Sequence, residues 1–328
     1  MIILILIQRY YRNPYQHMTV HVICSTFISS ETGGAHMKKY DSLGSILKDY
    51  RAHEGVSQSE LAAQLDVDIR SVIRWEKNET LLNSDKESAL VKTTFIPYQV
   101  IRNLNTSKPI STFYDFDLRK YSLTAISREL PDADWIGSKI DIPTGRLRTI
   151  ESEDDIEQII RFTDLQKNPL KTTRIELFKE ATRIFPELNL IILDQSGQYS
   201  GHSVYFPISL ETYKKLRNRE ITEKDLHPRD LVNYKQQKIP VFYCHSITAD
   251  CNENFFYIIG AVLKFYRDVA PKNYIYALLT SRYDSHAMSR QLHVKTVWED
   301  HETKEQYNLL DTPRLVEGDF SEFFKNLG

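Results

Sequence analysis

Three closely spaced helix signals near the start of the chain constrain its fold most. Apolar residues recur at helical spacing over residues 43–50, and Gly55 follows as a C-terminal glycine. Ser57 and Glu60 have the spacing of a capping box for a second helix, and Asp68 has the position of a cap for a third. The short turn between the second and third helices predicts a helix-turn-helix, in which the last helix can lie in a DNA groove.

The residues of these helices resemble a known family. Residues 56–62 (VSQSELA) and 65–78 (LDVDIRSVIRWEKN) are similar to the lambda-repressor-like (XRE/Cro) helix-turn-helix family. Ile69 stands where a polar side chain is common in that family, and Asn78 where a glycine often occurs. The resemblance implies double-stranded DNA as a partner, with five DNA-binding positions: Gln58 on phosphate, and Ile69, Arg70, Ser71 and Arg74 on the recognition helix.

The charge balance limits how such a module would bind. Residues 37–105 contain ten Lys and Arg and ten Asp and Glu, and the whole chain has a formal net charge of −2. Affinity for DNA grows with the number of phosphates that cations neutralise. We therefore expect binding to depend on a few recognition-helix contacts and on a homodimer.

Two further features bear on the compartment. The apolar run at residues 1–7 is far shorter than the roughly 20 residues that span a bilayer. Residues 1–36 have no amphipathic period, and we expect a poorly ordered extension that does not bind a membrane. Three cysteines are too few for a disulfide framework, which favours a cytoplasmic setting.

The middle and the C-terminal half change character. Residues 106–145 are rich in aromatic side chains, prolines and glycines, and are predicted to form a connector with a short helix at 119–130. From Arg146 onward, strand and helix patterns alternate in the order β-α-α-β-β-α-β-α-β-α-β. The predicted last strand is 294–298, followed by an acidic, aromatic tail. This order indicates an α/β or α+β domain around one mixed sheet.

The order and spacing of these elements resemble the GNAT (Gcn5-related N-acetyltransferase) fold, which implies acetyl-CoA as a cosubstrate. The family's diphosphate loop, Arg/Gln-x-x-Gly-x-Gly/Ala, corresponds here to residues 246–260, which lack both early glycines and contain Asp250 and Glu253. The tyrosine that many members offer as an acid is replaced by residues 290–293, and Tyr283 lies nearby without matching. We therefore assign no catalytic and no cofactor-binding residue.

Cysteines and histidines offer other arrangements. Cys244, His245, Cys251 and His202 could be combined into a metal site, but adjacent strand residues face opposite sides and the spacings fit no ligand pattern. We predict no metal site and no nucleophilic cysteine. His286 and His293 are interpreted as surface or interface residues.

Together these features predict a multidomain chain: an N-terminal all-α helix-turn-helix bundle followed by an α/β (α+β) GNAT-like mixed-sheet domain. The predicted segments are an extension at 1–36, the DNA-binding domain at 37–105, the connector at 106–145 and the GNAT-like domain at 146–328. The leading hypothesis is a sequence-specific transcriptional regulator whose degenerate GNAT-like domain serves as sensor, dimerisation or interaction module for an unidentified effector. The alternatives are an active acetyl-CoA-dependent N-acetyltransferase fused to a helix-turn-helix, and an antitoxin-like autoregulator.

Overall fold

The fold is taken from a computed structural model of the chain. It describes residues 37–123, 136–138, 140–141, 144–166, 168–309 and 311–327. The extension predicted at residues 1–36 lies outside the described residues, and so do residues 124–130 of the helix predicted in the connector.

The N-terminal part consists of helices whose ends follow the capping residues. Its elements are β1 (Lys38–Tyr40), α1 (Leu43–Glu54), α2 (Gln58–Gln64), α3 (Ile69–Glu76), α4 (Ser84–Thr94), α5 (Tyr98–Leu104), β2 (Thr112–Asp115) and β3 (Lys120–Ser122). Gly55 ends α1 in the left-handed region at φ 70°. Ser57 and Glu60 form the predicted capping box of α2, and the Asp68 side chain caps α3. These helices enclose one apolar core.

The segment predicted as a connector takes part in a small sheet. Strand β2 pairs antiparallel with β1, which precedes the first helix, and with β3. The helix predicted from residue 119 is therefore wrong over residues 120–122, which form β3. Asp115 accepts the N–H groups of Asp117 and Leu118, and Arg119 takes a positive φ of 56°, which closes a turn instead of starting a helix.

The larger part is built around a seven-stranded sheet. Its elements are β4 (Leu147–Thr149), α6 (Glu153–Leu165), α7 (Ile175–Ile184), β5 (Leu190–Leu193), β6 (Tyr199–Ile208), α8 (Leu210–Arg217), β7 (Val241–Ala249), α9 (Asn252–Asp268), β8 (Ile275–Thr280), α10 (Tyr283–Gln291), β9 (Lys295–Glu299), α11 (His301–Tyr307), β10 (Arg314–Gly318) and α12 (Ser321–Asn326). Three short 3-10 turns lie between α8 and β7. Within the described ranges, none of the helices is long and apolar enough to cross a membrane.

The strand order is β4-β5-β6-β7-β8-β10-β9. Neighbouring strands are antiparallel except for β7 and β8, which are parallel. The prediction that residues 294–298 form the last strand is wrong, because part of the predicted tail forms β10 and inserts between β8 and β9. The mixed sheet predicted for this half is confirmed.

Both faces of the sheet are covered. Helices α9 and α12 pack on one face, in a core that includes Phe256 and Phe323. Helices α6, α7 and α8 pack on the other face, in a core that includes Ile159, Phe178 and Tyr213. The N-terminal helices and the large sheet belong to one structural unit.

Gly201 lets β6 lie close to β7, next to the site described below. A Cβ atom at this position would lie 2.4 Å from the carbonyl oxygen of Thr248 and 2.7 Å from the Cα of Ala249. We expect Gly201→Ala to lower the free energy of unfolding by about 1–3 kcal/mol, because the backbones must move apart. Chemical denaturation would measure this against Gly145→Ala, whose Cβ would meet nothing within 4 Å. Equal stabilities of the two variants would contradict the prediction.

Candidate active site

Strands β7 and β8 separate before they end. Their parallel pairing stops at Cys244 opposite Leu278, although both strands continue. A cavity of about 320 Å³ lies in the gap. Two walls of the cavity are formed by residues 245–248 of β7 and by residues 278–283, which begin where the pairing ends. A third wall is formed by residues 116–118 of the β2–β3 turn. Beyond this point β7 pairs with β6 alone, and the carbonyl of His245 accepts a hydrogen bond from the Nζ of Lys171. The backbone of residues 246–248 lies next to the cavity without a β8 partner, where it can bind an extended substrate.

His245 lines this cavity, and its side chain is fully buried. Its Nδ1 lies 2.8 Å from Oε1 of Glu223, so a neutral ring carries its proton on Nδ1 and donates it to the carboxylate. Its Nε2 has no hydrogen-bond partner among the described residues. Burial lowers the pKa of His245, against the opposing charge of Glu223, and the ring is neutral near pH 7. The free Nε2 lone pair can accept a proton.

Glu223 is the fixed charge that orients this ring. The carboxylate is fully buried in the first 3-10 turn. It accepts hydrogen bonds from the Nζ of Lys171 at 3.1 Å, from the hydroxyl of Tyr243 at 2.8 Å and from the N–H of Thr172 at 2.9 Å. Burial alone would raise the pKa of Glu223. The charge of Lys171, the charge that His245 carries once it is protonated, and these hydrogen bonds lower it to about 2 instead. Glu223 is therefore ionised at neutral pH.

A second buried histidine lies beside the first. Nε2 of His202 is 2.8 Å from the hydroxyl oxygen of Ser246, and its Nδ1 is hydrogen-bonded to the hydroxyl of Tyr199. Burial, followed by the charges of His245 and Arg282, lowers the pKa of His202 to about 3, so this ring is neutral. Ser246 is partly exposed and lines the cavity.

A buried ion cluster fastens the β2–β3 turn to the large sheet. Lys120 of β3 donates to Asp284 of α10 at 2.9 Å, and Arg282 binds the same carboxylate through Nε and Nη2. Burial alone would raise the pKa of Asp284, but the two cations hold it far below its usual range. Phe116 and Leu118, in the turn before Lys120, are thereby held against the cavity.

The first turn of α9 is the place where a GNAT-like fold would hold the diphosphate of coenzyme A. Here the Asp250 carboxylate, buried and bound by Asn254, lies at this turn. Burial raises the pKa of Asp250 to about 6, so it is largely ionised at neutral pH. The N–H of Tyr121 donates to the carbonyl of Asp250, which places β3 over the turn, and Glu253 engages Arg146. These residues do not fit a diphosphate, because Asp250 and Glu253 add negative charge at this turn.

The five residues predicted to bind DNA lie elsewhere. None of them lines the cavity. Ile69, Arg70 and Arg74 are exposed on α3, and Ser71 is partly exposed. Gln58 donates its side-chain amide to the carboxylate of Glu76 at 2.7 Å, and this buried carboxylate also binds Arg51. The amide predicted to contact a phosphate is therefore engaged within the chain.

The site residues were not recognised from sequence as members of one site. His202 and His245 entered only as weak metal ligands, and among the described residues no group of three or more His, Cys, Asp or Glu could hold a metal ion. The Cys244 side chain lies in the core beneath α9, whereas the His245 side chain faces α7. Adjacent strand residues are expected on opposite faces of a sheet, as found here. Tyr283, which matched no motif, begins α10 and lines the cavity. Glu223 lies in a short turn without a sequence signal.

Comparisons with known proteins yield a fold likeness only. No family model and no curated protein matches the chain. Among solved structures, the chain is similar to Chaetomium thermophilum Naa20 in complex with a bisubstrate analogue, at 11% identity and a TM-score of 0.34 over 55% of this chain and 88% of that one. It is also similar to the histone acetyltransferase HPA2 and related acetyltransferase from Corynebacterium glutamicum, at 12% identity and a TM-score of 0.29 over 52% and 93%. A third structure, titled an acetyltransferase, has 14% identity and a TM-score of 0.29 over 53% and 99%.

The sheet is GNAT-like. Its strand order and single parallel pair carry this statement, and the likeness covers about half of the chain. The interpretation of the chain as a sequence-specific DNA-binding regulator with a degenerate GNAT-like module is wrong. No family model supports the repressor-type motif, and the reported structural neighbours are acetyltransferases.

Proposed function

We propose that the chain is an acyltransferase that moves an acyl group from a thioester to an amine in the cavity between β7 and β8. One observation carries the proposal. His245 is buried at the point where the two strands separate, its Nδ1 is bound to the ionised Glu223, and its Nε2 is free of partners in the described structure. A histidine held in this tautomer is suited to general base catalysis.

The proton can be followed through the reaction. As the amine attacks the thioester carbonyl, its N–H proton passes to Nε2 of His245. The imidazolium that forms is stabilised by the adjacent Glu223 carboxylate, which stays ionised. The tetrahedral intermediate then collapses, the carbon–sulfur bond breaks, and the proton passes from Nε2 to the leaving thiolate. The sum is one thioester and one amine converted into one amide and one thiol.

The cavity walls support this chemistry. Phe116 and Leu118 contribute apolar surface to the cavity, and apolar walls disfavour water, which competes with the amine for the acyl group. Lys120 and Asp284 hold that wall through a buried ion pair. The backbone of residues 246–248 lies beside the cavity without a β8 partner, and can bind the amide groups of an extended donor or acceptor.

Thiol release tests the proposal. Acetyl-CoA and S-acetylpantetheine would be offered with a panel of amines: an amino acid mixture, peptides with free amino termini, and a polyamine. We expect thiol release that depends on one class of amine, with the acetylated product identified by mass spectrometry. No release above the enzyme-free rate with either donor and any amine would refute the proposed function.

The same assay tests whether the site binds the nucleotide part of the thioester donor. Because the first turn of α9 offers no diphosphate site, the nucleotide part of acetyl-CoA should contribute little binding energy. We expect kcat/KM for the two donors to agree within about threefold, or ~0.6 kcal/mol. A preference for acetyl-CoA of 100-fold or more, about 2.7 kcal/mol, would show that the nucleotide is bound after all.

A further inference from the structure

The hydrogen-bond chain Tyr199–His202–Ser246 ends at the same cavity as His245. Ser246 and His245 are neighbours on β7, but a β-bulge at this point lets both side chains face the helices α6 and α7. The ring of His245 packs on Phe178 of α7, and that of His202 packs on Phe162 of α6. Ser246 and His245 thereby line one cavity from adjacent positions, and the Nε2 atom of His245 is buried.

The direction of the chain follows from the groups in it. A neutral imidazole has one N–H and one acceptor nitrogen, so only one of the two hydroxyl neighbours can donate to His202. The phenol of Tyr199 is a stronger acid than the hydroxyl of Ser246 and is therefore the better donor. We assign the Tyr199 proton to the hydrogen bond with Nδ1 of His202. Nε2 of His202 then carries the ring proton and donates it to the oxygen of Ser246 at 2.8 Å.

This direction leaves the hydroxyl proton of Ser246 free for a ligand. Each group donates to the next one, and such a chain polarises the last hydroxyl as a donor. His202 in this tautomer cannot accept the Ser246 proton, so the hydroxyl is not activated as a nucleophile. The two histidines therefore have opposite roles: His245 accepts a proton in the cavity, and His202 makes its serine neighbour a donor there.

We propose that Ser246 donates a hydrogen bond to the thioester carbonyl oxygen as negative charge develops on it, with Tyr199 and His202 as positioning residues. The inference rests on the acyltransferase function proposed above. It assigns to adjacent residues of one strand the two tasks that acyl transfer requires, proton removal from the amine and stabilisation of the oxyanion.

Kinetics of variants test the role of the hydroxyl. We expect Ser246→Ala to lower kcat for thiol release by about 10²-fold with KM changed by less than threefold, because the lost hydrogen bond forms in the transition state. Ser246→Thr keeps a hydroxyl and should recover most of this loss. Tyr199→Phe should also lower kcat, although Tyr199 does not line the cavity, because His202 can then accept from Ser246.

Two readouts separate this inference from the proposed function. Nitrogen-15 NMR of the wild-type chain without substrate should show His202 protonated on Nε2, and a proton on Nδ1 would overturn the inference. A wild-type chain that is active while Ser246→Ala retains its full kcat would overturn it too, and so would an acyl group found on Ser246 by mass spectrometry. A wild-type chain without any transferase activity would refute both proposals.

Discussion

Replacing His245 with glutamine is expected to slow acyl transfer by about 10²- to 10⁴-fold. Glutamine can still donate an amide N–H to Glu223 and fills a similar volume, but it has no lone pair that takes up a proton at neutral pH. The loss should appear in kcat for thiol release at saturating donor and acceptor. The variant tests the base itself, because the shape of the cavity is nearly unchanged.

The pH profile of kcat/KM gives an independent check on the same residue. His245 must be unprotonated to act as a base, so the rate rises as pH increases through its pKa. Burial lowers the pKa of His245, and the acidic limb of the profile should therefore lie below the ordinary histidine value of about 6.5. In His245→Gln this limb should disappear, and the residual rate should follow only the deprotonation of the amine.

His286 offers a matched control for this experiment. It lies on α10, is partly exposed, and does not line the cavity. His286→Gln should keep the wild-type rate within about twofold, a difference of ~0.4 kcal/mol. If His245→Gln lost no more activity than this control, His245 would not be the base and another group would have to accept the proton.

The local elements of the fold could be predicted well where the signal lies within the element. Gly55 and the pair Ser57 and Glu60 determine helix ends through contacts of one turn, so the bounds of α1 and α2 follow from the residues themselves. The apolar run at residues 241–244 likewise lies in strand β7, which runs from Val241 to Ala249. Such agreement is expected where hydrophobic runs and caps act over short range.

Elements that depend on distant partners were missed. Strand β10 is only five residues long and follows a polar helix, and its pairing with both β8 and β9 makes it a strand. The bulge at His245 likewise arises from the register between β6 and β7, which no local pattern specifies. Without that bulge, adjacent residues of β7 would be expected on opposite faces, and His245 and Ser246 would not be placed in one site.

The candidate site was hidden for the same reason. Its charged member, Glu223, lies in a three-residue turn between α8 and β7, and its partners Lys171 and His245 are about 50 and 20 positions away along the chain. In sequence, the glutamate looks like any acidic residue in a polar connection. Only the fold reveals that it is fully buried and bound on all sides.

Glu223→Gln is expected to lower the free energy of unfolding by about 3–5 kcal/mol, because it breaks a buried ion pair without removing its partner. The amide group matches the carboxylate in volume, so no cavity contributes. Its NH₂ can only donate, however: in place of Oε2 it would face the Nζ of Lys171, and in place of Oε1 it would face the N–H of Thr172 and the Nδ1–H of His245. Lys171 would be left as a buried cation without its counter-charge.

Chemical denaturation measures this loss, with Glu211→Gln as the control. Glu211 pairs with Lys215 at 2.9 Å on the surface of α8, where its side chain is 80% exposed. Such a pair contributes little to stability, and the control should lose much less stability than Glu223→Gln. Equal losses in the two variants would show that Glu223 is not the buried anchor of His245.

Acid titration of stability distinguishes the charge of Glu223 from its packing. The pKa of Glu223 is lowered from an unfolded value of 4.5 to about 2 in the folded chain. Its contribution to stability is therefore fully present above about pH 4.5 and is lost as pH falls toward 2, by about 3 kcal/mol in all. Glu223→Gln cannot titrate, so the difference in stability between wild type and variant should shrink over this window. A difference that stayed constant from pH 5 to pH 2 would mean that the carboxylate is not held as a charge, and that Glu223 orients His245 by packing alone.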